Sequence, residues 1–337
     1  MKITITKIAE IVGVSKATVS RAINGSGYVS PQTKEKVLQV VKEYDYVPDS
    51  KAINLSKRKT ATIGLVLPST SGPFYGEVMR GVEVVLTPER YFILLMTFNV
   101  MEDPEKVRKR YISLVREKRV DGIIIFDPEA DEETAKKVAK LNFPCVYIGK
   151  NFNNINVDTV SVDNFSGSYM MMDHLIKVHK YKRIAFLNGP EDSFDSIERF
   201  RGYRYALEEY GIGFDPKLVR FGDFTRKSGR EICREFLESH VDVIFAANDE
   251  MALGVIEEMQ KHNLVAGREM AVVGFDDAMW SQFIQPPLTT VHQPMYSIGK
   301  LAARMILERI NTSDSHKEVM KTLLHTKLIV RNSCGCK

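Results

Sequence analysis

Residues 13–25 read GVSKATVSRAING, a stretch bounded by glycines that packs hydroxylic side chains, a Lys and an Arg into three helical turns. Ser15 is placed to cap a short helix running from Lys16 to about Ile23, and Gly13 stands where a left-handed turn needs a residue without a Cβ. On that helix Val19, Ala22 and Ile23 share one stripe, which leaves Lys16, Ala17, Thr18, Ser20 and Arg21 facing outward. Such a polar face is what a solvated helix carries. It also suits a helix that must approach base edges in the major groove, where Arg bonds guanine through two donors. Upstream, Ile5, Ile8, Ala9 and Val12 repeat at three and four residues behind Thr4, a capping residue. Two helices so closely joined make a helix-turn-helix. A third helix follows from Ser30-Pro31, with Val37, Val40, Val41 and Tyr44 on its apolar face before DYVPDS ends it.

Charge supports a polyanionic partner at this end. Residues 1–59 hold eleven basic and five acidic side chains, a net of +6, while the remaining 36 basic and 38 acidic residues give −2. Beyond Pro48, DSKAINLSKRKT is a short amphipathic segment whose prominent apolar residue, Leu55, is flanked by basic ones. Alone it reads as an ordinary linker; after a helix-turn-helix it also reads as a hinge helix that wedges Leu55 into the minor groove.

The stretch TKIAEIVGVSKATVSRAINGSGYVSPQTKEKVLQVVKEYDYVPDSKAINLSKRKTATIGLVLP closely resembles the DNA-binding head, hinge helix and first core strand of the lac repressor (LacI/GalR) family, and the similarity continues over essentially the whole chain. The resemblance implies that Lys16, Ala17 and Arg21 choose the operator, that Thr4, Ser15, Thr18, Ser20, Asn24 and Tyr28 hold phosphates or nearby bases, and that Leu55 intercalates at the operator centre. Two positions depart from the family pattern. Lys7 stands where an acidic residue is common, and Asp49 where Asn is usual before the hinge helix.

From residue 62 onward, strand-length apolar runs alternate with helical patterns: TIGLVLP at 62–68, YFILLMTF at 91–98, VDGIIIF at 120–126, CVYIG at 145–149, RIAFLNG at 183–189, VDVIFAAND at 241–249 and MAVVGFDD at 270–277. Continuous apolar strands between amphipathic helices imply parallel sheets covered on both faces, and there are enough of them for two Rossmann-like subdomains. The expected fold is therefore α/β, a helix-turn-helix head and hinge followed by two parallel-sheet subdomains in a periplasmic-binding-protein-like core. The expected boundaries are 1–48 for the head, 49–60 for the hinge and 61–337 for the core. Within the core, about 61–160 with 292–318 would form one subdomain and about 161–291 with 319–337 the other.

Ligands of open α/β sheets sit at the carboxyl ends of the strands. Those ends here carry PSTSGPFY, FDPEA, NGPEDSFDSIERFRG, NDE and FDD. Taken singly, Asn248-Asp249 and Asp276-Asp277 read as helix caps, Arg199 as a surface residue of an amphipathic helix, and Phe74, Phe126 and Phe224 as core. Taken together, one Arg, one Asn and one Asp beside aromatic faces are the groups that recognise a hydroxyl-rich ring. ERFRGYRYAL, AANDEMALG, VVGFDD and PPLTTVHQP resemble the same family's effector domain, which implies that Arg199, Asn248 and Asp276 bind a small-molecule effector, that Phe224 stacks on a sugar, and that Phe74, Phe126, Asp195 and Gln293 line the cleft. Trp280, the sole tryptophan, lies close enough after FDDAM to sit at the cleft mouth, in the core or at an interface.

Composition excludes several other classes. With 44% apolar and 27% charged residues the chain reads as a globular protein of two or three domains, and no run approaches the roughly 20 apolar residues of a membrane span. The start, MKITITKIAEIVG, is unlike a signal peptide, so a cytoplasmic protein is expected. Cys145 and Cys233 stand alone, and Cys334 and Cys336 form a C-x-C pair with no neighbouring ligand in sequence, which reads as reduced and unligated thiols. His174 and His179, five apart on a helical pattern, would occupy different faces, so no metal is expected. Neither G-x-x-x-x-G-K-[ST] nor G-x-G-x-x-G occurs, so no cofactor and no enzymatic activity are expected. The resemblance implies a transcriptional regulator, a repressor of sugar-metabolism genes, acting as a homodimer on double-stranded operator DNA under control of a mono- or oligosaccharide. Two alternatives are a global regulator controlled by a protein partner and a sugar-binding protein without DNA function.

Overall fold

The computed structural model describes residues 3–25, 27–46, 59–69, 72–98, 102–152, 154–312 and 318–336. The chain divides into two compact units, Met1–Thr60 and Ala61–Lys337. In the first, α1 (Ile5–Val12), α2 (Lys16–Asn24) and α3 (Pro31–Glu43) enclose a small core of Ile8, Ala9, Val19, Ala22 and Val37. Local chemistry sets each boundary. Thr4, Ser15 and Ser30 accept backbone N–H bonds from Lys7, Thr18 and Thr33 at 3.1–3.3 Å, and Gly13 and Gly25 close α1 and α2 in the left-handed region at φ 73° and 66°. Tyr44, expected on the apolar face of α3, is instead its half-exposed C-cap; Tyr46, past the helix end, packs on the core.

The second unit holds two parallel sheets. The first contains β1 (Thr62–Leu67), β2 (Phe92–Thr97), β3 (Gly122–Ile125), β4 (Cys145–Ile148), β5 (Asp158–Val162) and β11 (Lys321–Leu324), in the order β11-β5-β4-β3-β1-β2. The second contains β6 (Ile184–Asn188), β7 (Val219–Phe221), β8 (Val243–Ala246) and β9 (Ala271–Val273), in the order β7-β6-β8-β9. A short antiparallel pair joins β10 (Thr290–His292) to β12 (Lys327–Ile329). In each sheet the order reverses once, at β1 in the first and at β6 in the second, and an open parallel sheet binds ligands in the crevice beside that reversal.

Helices cover the sheets: α4 (Pro73–Leu86), α5 (Pro104–Arg116), α6 (Glu132–Ala139) and α11 (Met295–Asn311) belong to the first half. The second half has α7 (Asn164–Lys177), α8 (Phe194–Glu209), α9 (Arg226–Leu237) and α10 (Asp249–Lys261). Helix α11 packs on α4 and on β3, β4 and β5, while α7 packs on α8. The closeness of α4 and α11 depends on Gly81 and Gly299, because a Cβ on Gly81 would overlap the Tyr296 carbonyl oxygen and one on Gly299 the Val78 carbonyl oxygen. Backbone atoms cannot give way as a flexible side chain can. Gly299→Ala is expected to cost about 1–3 kcal/mol of core stability, read as a fall in the urea midpoint, with the head unaffected.

Two expectations require correction. The segment 319–337 does not belong wholly to the second half, because β11 pairs in parallel with β5 in the first sheet and only β12 and the residues after it turn to the second. The apolar pattern TLLHTKLIV shows two strands but carries no mark of which sheet each joins. His174 and His179 are not on separate helical faces either: α7 stops at Lys177, and the turn that follows brings the two rings to a centroid distance of 5.1 Å.

Candidate nucleic-acid interface and ligand cleft

The outward face of α2 is as polar in structure as in sequence. Lys16, Ala17, Arg21 and Asn24 are exposed, and Thr18 and Ser20 are half-buried at its edge. Ser15 Oγ lies 2.9 Å from Thr18 Oγ1, and Asn24 Nδ2 donates to Ser20 Oγ at 3.2 Å, so the short side chains brace one another. Among the described residues no ion pair engages Lys16 or Arg21, whereas Lys7 is tied to Glu10 at 2.9 Å. Tyr28 is 87% exposed, beside an exposed Gly27 in the left-handed region. Leu55 lies outside the described residues, as does Asp49.

All eight residues singled out in the core line one cleft of about 800 Å³: Phe74 and Phe126 from the first half, Asp195, Arg199, Phe224, Asn248 and Asp276 from the second, and Gln293 from the link between β10 and α11. The first half supplies an aromatic wall, with the Phe74 and Phe126 ring centroids 5.6 Å apart. The second supplies charge. Buried Arg199, on α8, lies with its guanidinium carbon 3.9 Å from the centre of the Phe275 ring and 5.8 Å from that of Phe224. Its Nε donates to Asn164 Oδ1 at 2.8 Å and one terminal nitrogen to the Ala247 carbonyl at 2.5 Å. A guanidinium has five donors, so three have no partner among the described residues, on a side chain that lines the cleft.

The spacing of Arg199 and Gly202 has a physical reason. A Cβ at Gly202 would strike the Phe165 carbonyl, so only glycine lets α8 settle on α7, whose first residue is the Asn164 that orients Arg199. Asn164 Nδ2 also donates to Asp195 Oδ1 at 2.8 Å, so one amide bridges an acid and a base of the cleft. Gly189 makes room for the Phe224 ring in the same way.

Capping and cleft lining are not exclusive. Asn248 does cap α10, accepting from Met251 N at 2.9 Å, while its amide donates to the Phe224 carbonyl at 3.0 Å. Asp249 is a brace: its carboxylate accepts from Thr290 Oγ1 at 2.6 Å and Ala278 N at 2.8 Å. The two carboxylates of FDD diverge. Asp276 lines the cleft and accepts from Gln293 Nε2 at 2.5 Å, whereas Asp277 turns to Arg331 at 2.7 Å and His292 at 3.0 Å. Phe224, Asp276 and Asp277 all hold positive φ, at 63°, 126° and 58°. Strained backbone of this kind collects where side chains must be aimed. Trp280 packs half-buried against the hydrophobic core of the second half and is not among the residues that line the cleft.

Three further residues escape the sequence reading. Tyr75 packs edge-on against Phe74 and Phe126 at 5.3 and 5.9 Å, Ser193 lines the cleft with a buried hydroxyl that has no partner among the described residues, and Asn164 forms the bridge just described. Tyr75 and Ser193 adjoin residues that were singled out, but which neighbour faces inward depends on where the helix starts.

Burial pushes the Asp276 carboxyl up to about 7; Arg199 and the Gln293 hydrogen bond oppose the rise, and nearby Asp195 adds to it. Asp195 is raised as well, again mainly by burial. A carboxyl raised on folding stabilises the fold below its unfolded value near 4, and that contribution is lost as pH climbs through the folded value. Asp276→Asn is therefore expected to flatten the decline in ligand-free stability between about pH 4 and 7, and to be the more stable form above pH 7 by on the order of 2 kcal/mol. Urea midpoints of both proteins across that range test it; parallel pH curves would refute the assignment.

A basic helix-turn-helix followed by a two-sheet core, with Arg, carboxylate and aromatic side chains gathered after the carboxyl ends of its strands, is the architecture of a DNA-binding regulator. Comparison with known proteins agrees. Residues 4–49 match the family model of bacterial regulatory proteins, lacI family, and residues 60–330 match that of periplasmic binding proteins and the sugar binding domain of the LacI family. The HTH-type transcriptional regulator CelR of Thermobifida fusca is 33% identical over 98% of both chains, and catabolite control protein A of Priestia megaterium is 33% identical over 92% of this chain and 93% of its own. A solved CelR–cellobiose complex superposes with a TM-score of 0.73 at 32% identity, covering 98% of this chain and 99% of that one. A lac repressor dimer bound to operator superposes at 0.89 with 25% identity over the whole of both chains. The chain belongs to the LacI family of bacterial transcriptional regulators; it is a DNA-binding regulator and not an enzyme. Among the described residues no helix is long and apolar enough to cross a membrane.

Proposed function

We propose that this protein is a repressor of sugar-metabolism genes that binds a palindromic operator in the cytoplasm as a homodimer and is controlled by a mono- or oligosaccharide held in the core cleft. The observation that carries the sugar reading is the cleft itself, which Arg199, Asp195 and Asp276 line together with the rings of Phe74, Phe126 and Phe224. Planar donors and acceptors take hydroxyl groups, and an aromatic face takes the C–H side of a pyranose. A volume of about 800 Å³ lies high in the usual range of roughly 300–1,000 Å³, which favours more than one sugar unit. The relative solved with cellobiose points the same way.

On the DNA side, Lys16, Ala17 and Arg21 would read bases, and Thr4, Ser15, Thr18, Ser20, Asn24 and Tyr28 would hold the backbone or nearby bases, with Leu55 as the central wedge. Two heads at fixed separation match two half-sites, which a two-fold dimer supplies. Residues 1–48 act as the head, 49–60 as the hinge and 61–337 as the core. A ligand that favours one arrangement of the two sheets over the other changes operator affinity through them, and a coupling of about 1–3 kcal/mol gives roughly 5- to 150-fold.

The test has two arms. Selection from random duplexes should return a palindrome, and a thermal-shift panel of mono- and disaccharides, nucleobases and nucleosides should return a sugar, since a ligand of the folded state raises the melting temperature. That sugar should then shift the affinity for the selected duplex. Stabilisation by a nucleobase alone would overturn the sugar assignment, and selection without a palindrome would overturn the dimeric operator.

A further inference from the structure

Far from the cleft in sequence, two thiols and two imidazoles converge. Cys334 and Cys336, in the turn after β12, meet His174 near the end of α7 and His179 in the turn beyond it, and one potential ligand atom from each lies within 4.8 Å of all the others. Cys336 Sγ is 3.3 Å from His179 Nε2 and 3.8 Å from His174 Nε2. A tetrahedral zinc ion, with Zn–S about 2.3 Å and Zn–N about 2.0–2.1 Å, spaces a sulfur and a nitrogen ligand about 3.5 Å apart and two sulfurs about 3.8 Å apart. The two sulfur–nitrogen separations of Cys336 bracket the first value, and all the remaining pairs lie within 4.8 Å. We propose that His174, His179, Cys334 and Cys336 form a structural zinc site that fastens residues 331–336 to the second half of the core.

The surroundings hold the four groups in place. Ser333, next to Cys334, accepts from Thr289 N at 2.8 Å and donates to the Val272 carbonyl at 2.6 Å, which pins this stretch to β9. The Tyr181 hydroxyl donates to the Cys334 carbonyl at 3.0 Å, and the Tyr181 ring stacks on His179 at 5.0 Å with an interplanar angle of 13°. Gly335 takes φ 96° between the two cysteines, a conformation that side-chain-bearing residues rarely adopt, and so lets both sulfurs turn inward. Cys334 is fully buried and Cys336 only partly, so the site is walled yet reachable from solvent.

Ligand chemistry selects the ion. Two sulfurs and two imidazoles in a tetrahedral set suit zinc, where oxygen-seeking magnesium or calcium would find no ligand they prefer. Four protein ligands leave no position for water, so the site is structural and not catalytic. A metal link between segments about 160 residues apart constrains the unfolded chain, and its binding energy adds to folding.

The experiment uses full-length protein made without an affinity tag, purified under reduction without chelator and analysed for metals. The expected content is about one zinc per chain. Cys336→Ser and His179→Gln, both at partly exposed positions, are expected to fold, as judged by circular dichroism, and to carry none, while Cys145→Ala keeps it. Cobalt exchanged into the native protein should show the ligand-field bands of a tetrahedral ion and a sulfur-to-cobalt charge-transfer band, both absent from the variants. A strong chelator should lower the melting temperature of the native protein by several degrees and leave that of Cys336→Ser unchanged. A native chain that holds no zinc and shows no cobalt bands would overturn the proposal, as would full zinc retention in Cys336→Ser or a Cys334–Cys336 disulfide in protein analysed without reductant.

Discussion

Arg199→Met is expected to weaken binding of the sugar identified by thermal shift by at least about 100-fold, and to leave operator affinity insensitive to it. The guanidinium lines the cleft with three donors that have no partner among the described residues, and each hydrogen bond from a charged group is worth about 1.5–3 kcal/mol, so losing a two-pronged contact removes roughly 3 kcal/mol or more. Met fills similar volume on the Phe275 ring but offers no donor. The change also strips the Asn164 amide oxygen and the Ala247 carbonyl of their Arg199 partner, so the variant should melt at lower temperature as well. Arg199→Lys separates the two effects: it keeps the charge beside Asp195 and Asp276 and loses the fork, so most stability should return and most sugar affinity should not. Calorimetric titration of the three proteins decides the matter. If Arg199→Met bound the sugar as the native protein does, Arg199 would have only a structural role.

The second large effect lies on the head. Arg21→Ala should reduce affinity for the selected palindrome by about 10- to 100-fold per half-site, since one bidentate base contact is worth about 1–3 kcal/mol, and preference should relax at one base pair in each half. Arg21 is exposed and, among the described residues, makes no ion pair, so the variant's melting curve should match the native one. Lys16→Ala, at the other charged base-reading position, should likewise relax discrimination, at a different base pair of each half. Competition binding against duplexes altered one base pair at a time measures both. An Arg21→Ala protein with undiminished discrimination would move the recognition role to its neighbours.

The head was the most legible part of the chain because its determinants are local. Thr4, Ser15 and Ser30 cap the helices that follow them, and Val19 and Ala22 carry their burial in the spacing alone. In the core, β1, β3, β4, β6 and β8 stand out as continuous apolar runs because both of their faces are covered. Strand β5, DTVSV, does not, since Thr159 and Ser161 interrupt the run even though every residue in it is buried. Strand β7 has only three residues. Of the cleft, the eight residues that follow strands were readable, but the Asn164 bridge was not, because it joins the starts of two helices through a side chain that looks like an ordinary helix-start Asn. The His174, His179, Cys334 and Cys336 cluster hid for a similar reason. It depends on where α7 stops and on a return of the chain from about 160 residues away.

The pairing of β11 with β5 also bears on how the protein is made. The Met320 amide reaches back 162 positions to the Asp158 carboxylate, so the first sheet lacks an edge strand until the chain has been made through β11. The three-helix head is contiguous and dominated by near-neighbour contacts, the kind of topology that forms fastest. On a ribosome the two units therefore mature in a fixed order. The surface suited to a nucleic acid takes shape early, and the apparatus that could answer to a metabolite is completed only once β11 and β12 have emerged.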